Sequence, residues 1–348
     1  MSADSVVITH DIREILSNCL RKNSFSGIAV LIDENTRRDC LPVITDVLKN
    51  SKFIQIRSGE IHKNLDTCQL IWQALTDAYF DRQGLLLNLG GGVIGDMGGF
   101  CAATYKRGIS FINIPTTLLA QVDASVGGKL GIDFSGFKNH IGVFTQPDQI
   151  MIDPVFLKTL PEKELRSGFA EVIKHALIAD ATYWPEITGR PFLRQDWSSH
   201  IRHSVKIKSR IVMEDPTEKG LRKILNFGHT LGHAIESYYL NDPENHLLHG
   251  EAVAAGMILE SYLSSRILGM PESEVTQIEE YILSVFGPVR IAEGDLESII
   301  DLSIQDKKNE KGIINFSLLR RIGEATYNVA VSRSEMRDAL RQYRNQMK

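Results

Sequence analysis

The stretch Leu85–Asp96, Leu-Leu-Leu-Asn-Leu-Gly-Gly-Gly-Val-Ile-Gly-Asp, decides the fold of this chain. It begins with an apolar run typical of a buried strand, and Met97–Arg107 behind it predicts a helix. Between them, Gly90–Gly95 matches G-x-G-x-x-G, whose glycines let the backbone approach a pyrophosphate at a helix N-terminus. A tight turn without a ligand is the alternative, since no ribose-binding acid stands about 20 positions downstream, at Ile112–Thr116.

Strands and helices alternate on both sides of this stretch. The patterns predict strands over Gly27–Asp33, Lys52–Arg57 and Ile109–Ile114, and helices over Asp11–Arg21, Thr36–Leu48 (with Thr36 as N-cap) and Leu65–Phe80. This order indicates βαβ units and a mainly parallel sheet, whose ligands bind beyond the carboxyl ends of the strands.

The second half of the chain is mainly helical. Helices are predicted over Glu162–Ala179, His200–Val212, Gly228–Tyr239, Gly250–Leu268, Pro271–Val285, Asp295–Gln305 and Ser334–Met347, and β-like patterns over Ile313–Leu319 and Glu324–Val331. We therefore predict an α/β protein: a Rossmann-like parallel-sheet nucleotide-binding domain over residues 1–160, followed by a mainly α-helical metal- and substrate-binding domain over residues 161–348.

Composition narrows the class of protein. With 348 residues, 43% of them hydrophobic and 24% charged, the chain is typical of a globular protein, and its net charge of −4 argues against nucleic acid or an anionic membrane as partner. The first residues, Met1–Ser5, show no signal peptide, and no apolar run approaches the length of a membrane span. Four scattered cysteines, Cys19, Cys40, Cys68 and Cys101, indicate a reduced, cytoplasmic protein.

Four histidines within a short stretch suggest a metal site. His229 and His233 are four residues apart on one predicted helix face, and His246 and His249 follow. With Glu171 on the helix before them, they provide ligand types suited to zinc or cobalt, with a position open for substrate. Spacing alone does not choose between His246 and His249, and two helical histidines are also common as surface or core residues.

Six cationic residues stand near glycines, motifs or helix ends, and in an acidic protein they suggest a phosphorylated or carboxylated substrate. They are Lys129, Lys138, Lys174, Lys208, Arg222 and Lys307. Each by itself is also compatible with a solvated surface position, and sequence spacing does not show that they converge.

Ordered motifs over roughly residues 25–325 closely resemble the 3-dehydroquinate synthase family. The motifs are Gly90–Asp96, Tyr105–Gly108, Pro115–Asp123, Ser125–Lys129, Lys138–Gly142, Ala170–Lys174, Asn226–His233 and Leu248–Glu251. The resemblance implies conversion of 3-deoxy-D-arabino-heptulosonate 7-phosphate to 3-dehydroquinate and phosphate by NAD-mediated oxidation, phosphate elimination, reduction, ring opening and aldol closure, with NAD regenerated in each turnover.

The resemblance also implies roles for particular residues. The metal ligands would be Glu171, His229 and His249, the last chosen by the family's His-Gly-Glu motif, with His233 beside them. NAD would contact Asp33, Glu60, Lys63, Gly92, Val93, Ile94, Gly95, Asp96, Thr116, Thr117, Asp123, Lys129, Lys138, Phe156, Leu157, Lys158 and Thr159. Substrate would contact Lys129, Asn139, Lys174, Lys208, Arg222, Asn226, His233 and Lys307. Arg107 would reach a neighbouring subunit's phosphate site, which implies a homodimer.

One loop departs from the family pattern, with Leu130 in place of a usual threonine and Phe137 in place of a glycine. Three alternatives remain on the sequence alone. They are a metal-dependent alcohol or glycerol dehydrogenase, another sugar-phosphate cyclase acting on a heptulose or glucose 6-phosphate, and a nucleotide-binding protein without turnover. The phosphate-binding cations and Ser125–Lys129 favour the dehydroquinate-forming reaction.

Overall fold

Six parallel strands form the sheet of the first structural unit, in the order β1-β8-β5-β4-β2-β3. Their bounds are Val6–Ile8 (β1), Ile28–Asp33 (β2), Lys52–Ile56 (β3), Leu85–Gly90 (β4), Ser110–Pro115 (β5) and Gln149–Ile152 (β8). The computed structural model describes residues 5–135, 137–240, 242, 246–306 and 314–346.

Strand β4 lies inside the sheet, and all its residues are buried. Leu87 pairs with Val30 on β2 and with Ile112 on β5. Leu86 joins an apolar cluster with residues of the helices Leu65–Asp77 and Gly92–Thr104, whereas Leu87 and Leu89 join the cluster on the opposite face. A parallel strand covered on both faces needs apolar side chains at successive positions, which explains the continuous leucine run.

Four helices connect these strands, and two of them differ from prediction. Their bounds are Ile12–Lys22 (α1), Glu34–Asp39 (α2), Leu65–Asp77 (α3) and Gly92–Thr104 (α4). The predicted helix over Thr36–Leu48 with Thr36 as N-cap is wrong: Asp33 caps α2, and Thr36 completes the capping box from inside the helix. After Asp39 the chain continues as two short 3₁₀ turns, the first of which contains Pro42, a residue without an N–H to donate.

Helix α4 begins at Gly92, five residues before the predicted start, and two glycines further along it pack closely against other residues. A Cβ on Gly98 would lie 1.9 Å from Asn88 Oδ1, and one on Gly99 would lie 2.6 Å from Leu130 Cδ2. Glycine is a poor helix former, so the sequence pattern favoured a loop over Gly92–Asp96, which the structure includes in the helix. Close contact with Asn88 and Leu130 requires glycine at positions 98 and 99.

A two-stranded hairpin, Lys129–Phe134 (β6) and Phe137–Phe144 (β7), was not predicted. Its glycines interrupt the alternation expected of strands, yet a Cβ on Gly142 would lie 2.4 Å from Leu130 O. Leu130 is buried and packs over Gly99, so this departure from the family pattern fills the space beside α4. The Phe137 side chain lies outside the described part of the chain.

The second unit is mainly helical. Its elements are Glu162–Ala179 (α5), Trp184–Thr188 (α6), Trp197–Glu214 (α7), His229–Tyr239 (α8), His249–Leu268 (α9), Glu272–Phe286 (α10), Leu296–Asp306 (α11), Arg333–Gln346 (α12) and the hairpin Ile314–Arg321 (β9) with Glu324–Val331 (β10). The first unit comprises Met1–Leu165 and Trp197–Ser209, and the second comprises Arg166–Asp196 and Arg210–Lys348, so that α7 contributes to both.

The predicted fold class is confirmed, since a parallel-sheet unit carries the glycine turn and a helical unit carries the histidine motifs. The assignment of NAD binding to residues 1–160 and of metal binding to residues 161–348 stays a prediction. Within the described residues, no helix combines the length and apolar character needed to cross a membrane.

The glycines of α4 allow a test of this packing. Gly98→Ala should destabilise the protein by about 1–3 kcal/mol, because the new methyl group would overlap the buried Asn88 amide. Gly95→Ala is the matched control in the same helix. It has nothing within 4 Å of the added Cβ and should be neutral or stabilising by about 0.5–1 kcal/mol. Urea denaturation of the ligand-free protein measures both, and equal stabilities would contradict the packing.

Candidate functional site

The glycine turn forms an open helix N-terminus in the first unit. Gly91 is the N-cap of α4 and has no side chain to offer to the first N–H groups. The amides of Gly92, Val93 and Ile94 have no intrahelical carbonyl to which they can donate. A Cβ on Gly91 would lie 3.0 Å from Thr117 Cγ2, so the turn packs closely on the segment after β5. These amides and the positive end of the helix dipole fit a pyrophosphate.

Of two predicted nucleotide-binding acids, Asp33 is the last residue of β2 and Glu60 follows the end of β3. Asp33 is half-buried, and its Oδ1 accepts the Thr36 N–H at 2.7 Å, so one carboxylate oxygen caps α2. Glu60 Oε1 lies 4.0 Å from Nζ of Lys63 and 4.0 Å from Nζ of Lys138. The structure thus brings Glu60 together with two lysines of the same predicted set.

Lys63 is the centre of a buried polar network. Its side chain is 5% exposed, and Nζ donates to Asp96 Oδ2 and to Asn139 Oδ1, each at 2.6 Å. Burial lowers the pKa of Lys63, but the charges of Asp96 and Glu60 outweigh it and hold that pKa above its usual value. Asn139 has a φ of +49°, a left-handed conformation that asparagine tolerates well, and its N–H donates to Asp133 Oδ1 at 2.7 Å.

Two further predicted site residues, Asp123 and Lys208, contact one another. Asp123 lies in a π-helical turn, Ala120–Ala124. Lys208 is buried, and its Nζ lies 2.6 Å from the Asp123 carbonyl oxygen and 2.8 Å from Oδ1 of the same residue. Such turns are frequent at functional sites because they reorient side chains within a helical segment. Thr116, just after β5, is buried, whereas Lys129 is exposed at the start of β6.

The predicted segment Phe156–Thr159 lies in a 3₁₀ helix, Pro154–Thr159. Phe156 and Leu157 are buried, and Phe156 belongs to the apolar core on one face of the sheet. Their side chains are therefore structural, and only their main-chain atoms remain to contact a nucleotide. Lys158 and Thr159 are exposed.

Three helices of the second unit bring together a carboxylate and histidines. Glu171 on α5 is fully buried, and its Oε1 lies 3.3 Å from His229 Nε2 on α8 and 3.8 Å from His249 Nε2 on α9. The His233 ring centroid is 5.1 Å from that of His229 and 5.6 Å from that of His249. His246 is exposed. The donor set suits zinc or cobalt.

Each of the two histidines facing Glu171 is oriented through its other nitrogen. His229 Nδ1 is 3.1 Å from Phe227 O, and His249 Nδ1 is 3.2 Å from Glu236 Oε2. Nε2 is therefore the nitrogen available on the Glu171 side, as in metal sites whose histidines are held by outer partners. Sequence reasoning missed Glu236. Its position seven residues after His229, on the same face of α8, was the available signal.

Charge is concentrated around Glu171. Burial raises the pKa of this carboxyl, but Lys174, which contacts it from one turn away, and His229 outweigh burial and hold the pKa well below its usual value. Burial and the Lys174 charge lower the pKa of His229. Burial also lowers the pKa of His249, but its contacts with Glu171 and Glu236 dominate and raise it to about 9. An ionised carboxylate beside two histidines is well suited to a divalent cation, which would replace the His249 proton on binding.

A glycine allows α9 to start against α5. The Gly250 N–H donates to Ser167 Oγ at 2.9 Å, and a Cβ on Gly250 would lie 2.0 Å from Ser167 O. Ser167 is one turn before Glu171 on α5, and Gly250 follows His249 directly. Backbone contact at this point is what lets His249 approach Glu171.

Two predicted substrate residues lie in the 3₁₀ segment before α8, Leu221–Asn226. Arg222 is buried, and its Nη1 donates to Pro216 O at 2.8 Å. Asn226 Nδ2 donates to Glu218 Oε1 at 2.8 Å. Lys307, also predicted to contact substrate, lies outside the described residues.

Arg107 ends a strained surface turn. Lys106 and Arg107 have φ values of +50° and +68°, and Gly108 follows with +115°. Left-handed conformations are costly for side chains of this size and are retained where the surrounding structure requires them. Both side chains are exposed, so the turn presents two cations to the outside of the first unit.

Two solved structures to which this chain is similar have NAD⁺ and a metal bound. The chain is similar to ValA, the 2-epi-5-epi-valiolone synthase from Streptomyces hygroscopicus subsp. jinggangensis 5008 with NAD⁺ and Zn²⁺ bound, with a TM-score of 0.87, 27% identity, and coverage of 98% of this chain and 96% of that chain. It also shares its fold with 2-deoxy-scyllo-inosose synthase complexed with carbaglucose-6-phosphate, NAD⁺ and Co²⁺, with a TM-score of 0.85, 23% identity, and coverage of 97% and 96%.

The open glycine turn of the sheet unit and the carboxylate–histidine group of the helical unit occur in a chain whose fold matches these two synthases. The family models for the N-terminal and C-terminal parts of 3-dehydroquinate synthase match residues 53–167 and 168–309. The 3-dehydroquinate synthase of Parabacteroides distasonis is 41% identical over 349 residues, covering 99% of each chain. The chain belongs to the 3-dehydroquinate synthase family.

The Lys63 network predicts a coupling between two charges. Lys63→Met should destabilise the ligand-free protein by about 1–3 kcal/mol, because Asp96, 19% exposed, loses its cation. Lys63→Met combined with Asp96→Asn should recover part of that loss. A double-mutant cycle by urea denaturation measures the coupling, and strictly additive effects would contradict it.

Proposed function

We propose that this protein catalyses the 3-dehydroquinate synthase reaction, the second step of the shikimate pathway. It converts 3-deoxy-D-arabino-heptulosonate 7-phosphate to 3-dehydroquinate and phosphate. The observation that carries the proposal is the Glu171 carboxylate facing His229 Nε2 and His249 Nε2, with Lys174 in contact, in a chain of this family. The reaction comprises oxidation, phosphate elimination, reduction, ring opening and intramolecular aldol closure.

NAD, when bound, would supply reversible hydride transfer, and a divalent metal would supply Lewis-acid polarisation of substrate hydroxyls. Residues 1–160 would bind NAD, with Gly92–Asp96 at the pyrophosphate and Asp33, Glu60 and Lys63 at the adenosine end. The open N-terminus of α4 supports the pyrophosphate position. Residues 161–348 would hold the metal through Glu171, His229 and His249.

Cationic, amide and imidazole side chains would bind the substrate, including its phosphate and carboxylate. The proposed set is Lys129, Asn139, Lys174, Lys208, Arg222, Asn226, His233 and Lys307. Burial of Lys174, Lys208 and Arg222 supports this role, because charges interact more strongly away from water and are already in place when the phosphate leaves. Lys63 would keep Asn139 in position through its hydrogen bond to Oδ1.

We also propose a homodimer in which Arg107 reaches the neighbouring subunit's phosphate site. The outward, strained turn that carries this residue supports a role beyond its own subunit. A cytoplasmic location is proposed as well, and it accords with four cysteines that are all free.

The first test is the reaction itself. Purified protein with a catalytic amount of NAD and the heptulosonate phosphate should release one phosphate for each 3-dehydroquinate formed. The absorbance of NADH should not rise. Elimination followed by return of the hydride predicts this stoichiometry. Accumulation of NADH in proportion to product would instead support an alcohol or glycerol dehydrogenase, and a different carbocycle would support another cyclase.

The metal ligands are tested by single substitutions. Glu171→Ala, His229→Ala and His249→Ala should each lower metal affinity by more than about 100-fold, since loss of an outer partner alone costs about 10–100-fold. His246→Ala is the matched control and should retain metal, because His246 is exposed.

His233→Ala should retain metal and lose turnover, since this residue is proposed to contact substrate. Elemental analysis after desalting measures the metal content of all five variants, and chelator competition measures their metal affinity. Full metal in His249→Ala together with loss in His246→Ala would overturn the ligand assignment.

The dimer is tested by mixing inactive variants. Asparagine tolerates the left-handed φ of this turn, so Arg107→Asn should fold but lose activity. After subunit exchange with inactive His249→Ala, one site in each mixed dimer has both groups intact, which restores about one quarter of all sites. Lys106→Asn, at the neighbouring exposed cation, should stay active alone. No recovery after confirmed exchange would show that Arg107 does not act across subunits.

A further inference from the structure

Glu260 is a buried acid with no role among the predicted site residues. It lies on α9, eleven residues after His249, and is fully buried. Three backbone N–H groups donate to its carboxylate: Gly228 to Oε2 at 2.6 Å, and Thr230 and Leu231 to Oε1 at 3.0 and 3.1 Å. These donors surround the first residue of α8, His229. The carboxylate therefore caps the helix that carries a proposed metal ligand.

The start of α8 needs an acceptor from outside the helix. The N-cap, Gly228, has a φ of +79° and no side chain that can accept the first N–H groups. Unsatisfied donors buried away from water are costly, and the N-terminus of a helix carries a partial positive charge. A carboxylate has acceptor capacity for all three donors and the complementary charge. Glu260 meets both requirements.

Glycines bring the backbones of α8 and α9 close enough for this contact. A Cβ on Gly256 would lie 2.0 Å from Gly228 O, and a Cβ on Gly232 would lie 3.0 Å from Ala252 O. The two helices therefore cannot slide past one another without backbone collision. Glu260, one turn after Gly256, acts in a fixed register.

The two helices hold each other's ligands. Glu236 on α8 contacts Nδ1 of His249 on α9, and Glu260 on α9 binds the amides that flank His229 on α8. We infer that Glu260 is a positioning residue of the metal centre: by fixing the first turn of α8 it holds His229 Nε2 toward Glu171. This inference rests on the proposed metal site and assigns Glu260 no contact with metal or substrate.

The experiment compares two substitutions on α9 in the full-length protein. Glu260→Gln keeps the shape of the side chain but turns one acceptor into a donor that faces an N–H group. Ser264→Ala is the matched control, one turn further along. Ser264 is fully buried, accepts the Leu319 N–H at 2.9 Å and donates to Glu260 O at 2.6 Å, so its loss weakens α9 packing away from α8.

Zinc and cobalt affinities are measured on metal-free protein by competition with a chromophoric chelator, and thermal unfolding of the same samples reports stability. We expect Glu260→Gln to weaken metal binding about 10–100-fold, as other losses of outer partners do. The metal affinity of Ser264→Ala should stay within about twofold of that of wild type, even if its melting temperature equals that of Glu260→Gln. Unchanged affinity in Glu260→Gln would overturn the inference.

A second variant, Glu260→Asp, keeps the inference testable if Glu260→Gln does not fold. Glu260→Asp keeps the charge on a shorter side chain and should bind metal more tightly than Glu260→Gln but more weakly than wild type. If Glu260→Gln cannot be purified, wild-type affinity in Glu260→Asp overturns the inference. Absence of a stoichiometric metal in wild type would overturn the proposed metal site and this inference together. Normal metal in wild type with unchanged variants would overturn the inference alone.

Discussion

The buried charge of Glu171 is the constraint on which the helical unit depends. A carboxylate with no exposed surface costs several kcal/mol unless cations and hydrogen-bond donors surround it. Lys174 supplies one cation from the same helix, and His229 and His249 arrive from two others. Their approach requires helices in backbone contact, which Gly250 allows against α5. The arrangement that compensates this charge is also one that fits a divalent metal ion.

Local patterns in the sequence predict most of the fold. The apolar run at Leu85–Leu89 predicts a strand because a parallel strand covered on both faces is apolar at successive positions. The error at Thr36 has a local cause, since Asp33 precedes it and is the stronger N-cap. The early start of α4 is different in kind. The low helix propensity of Gly92 and Gly95 predicts a loop over Gly92–Asp96, and the folded chain overrides that propensity.

The residues of the site also fall into those that sequence patterns reveal and those that only the structure reveals. Glu171, His229 and His249 stand in recognisable motifs, and the structure brings them together. Glu236 shares a helix face with His229 and was within reach of spacing arguments. Glu260 was not, because its partners are backbone N–H groups about thirty positions away and any sequence supplies those. Outer residues that hold a ligand through the main chain leave no pattern of residue types, so only the folded structure identifies them.

The most direct measurement of this centre is a crystal structure of the metal-loaded protein, with anomalous diffraction recorded at the zinc or cobalt edge. One anomalous peak is predicted, ligated by a Glu171 oxygen and by Nε2 of His229 and of His249, with Glu260 still bound to the amides around His229. A metal held by His229, His233 and His249, with Glu171 remaining on Lys174 alone, would contradict the proposed centre.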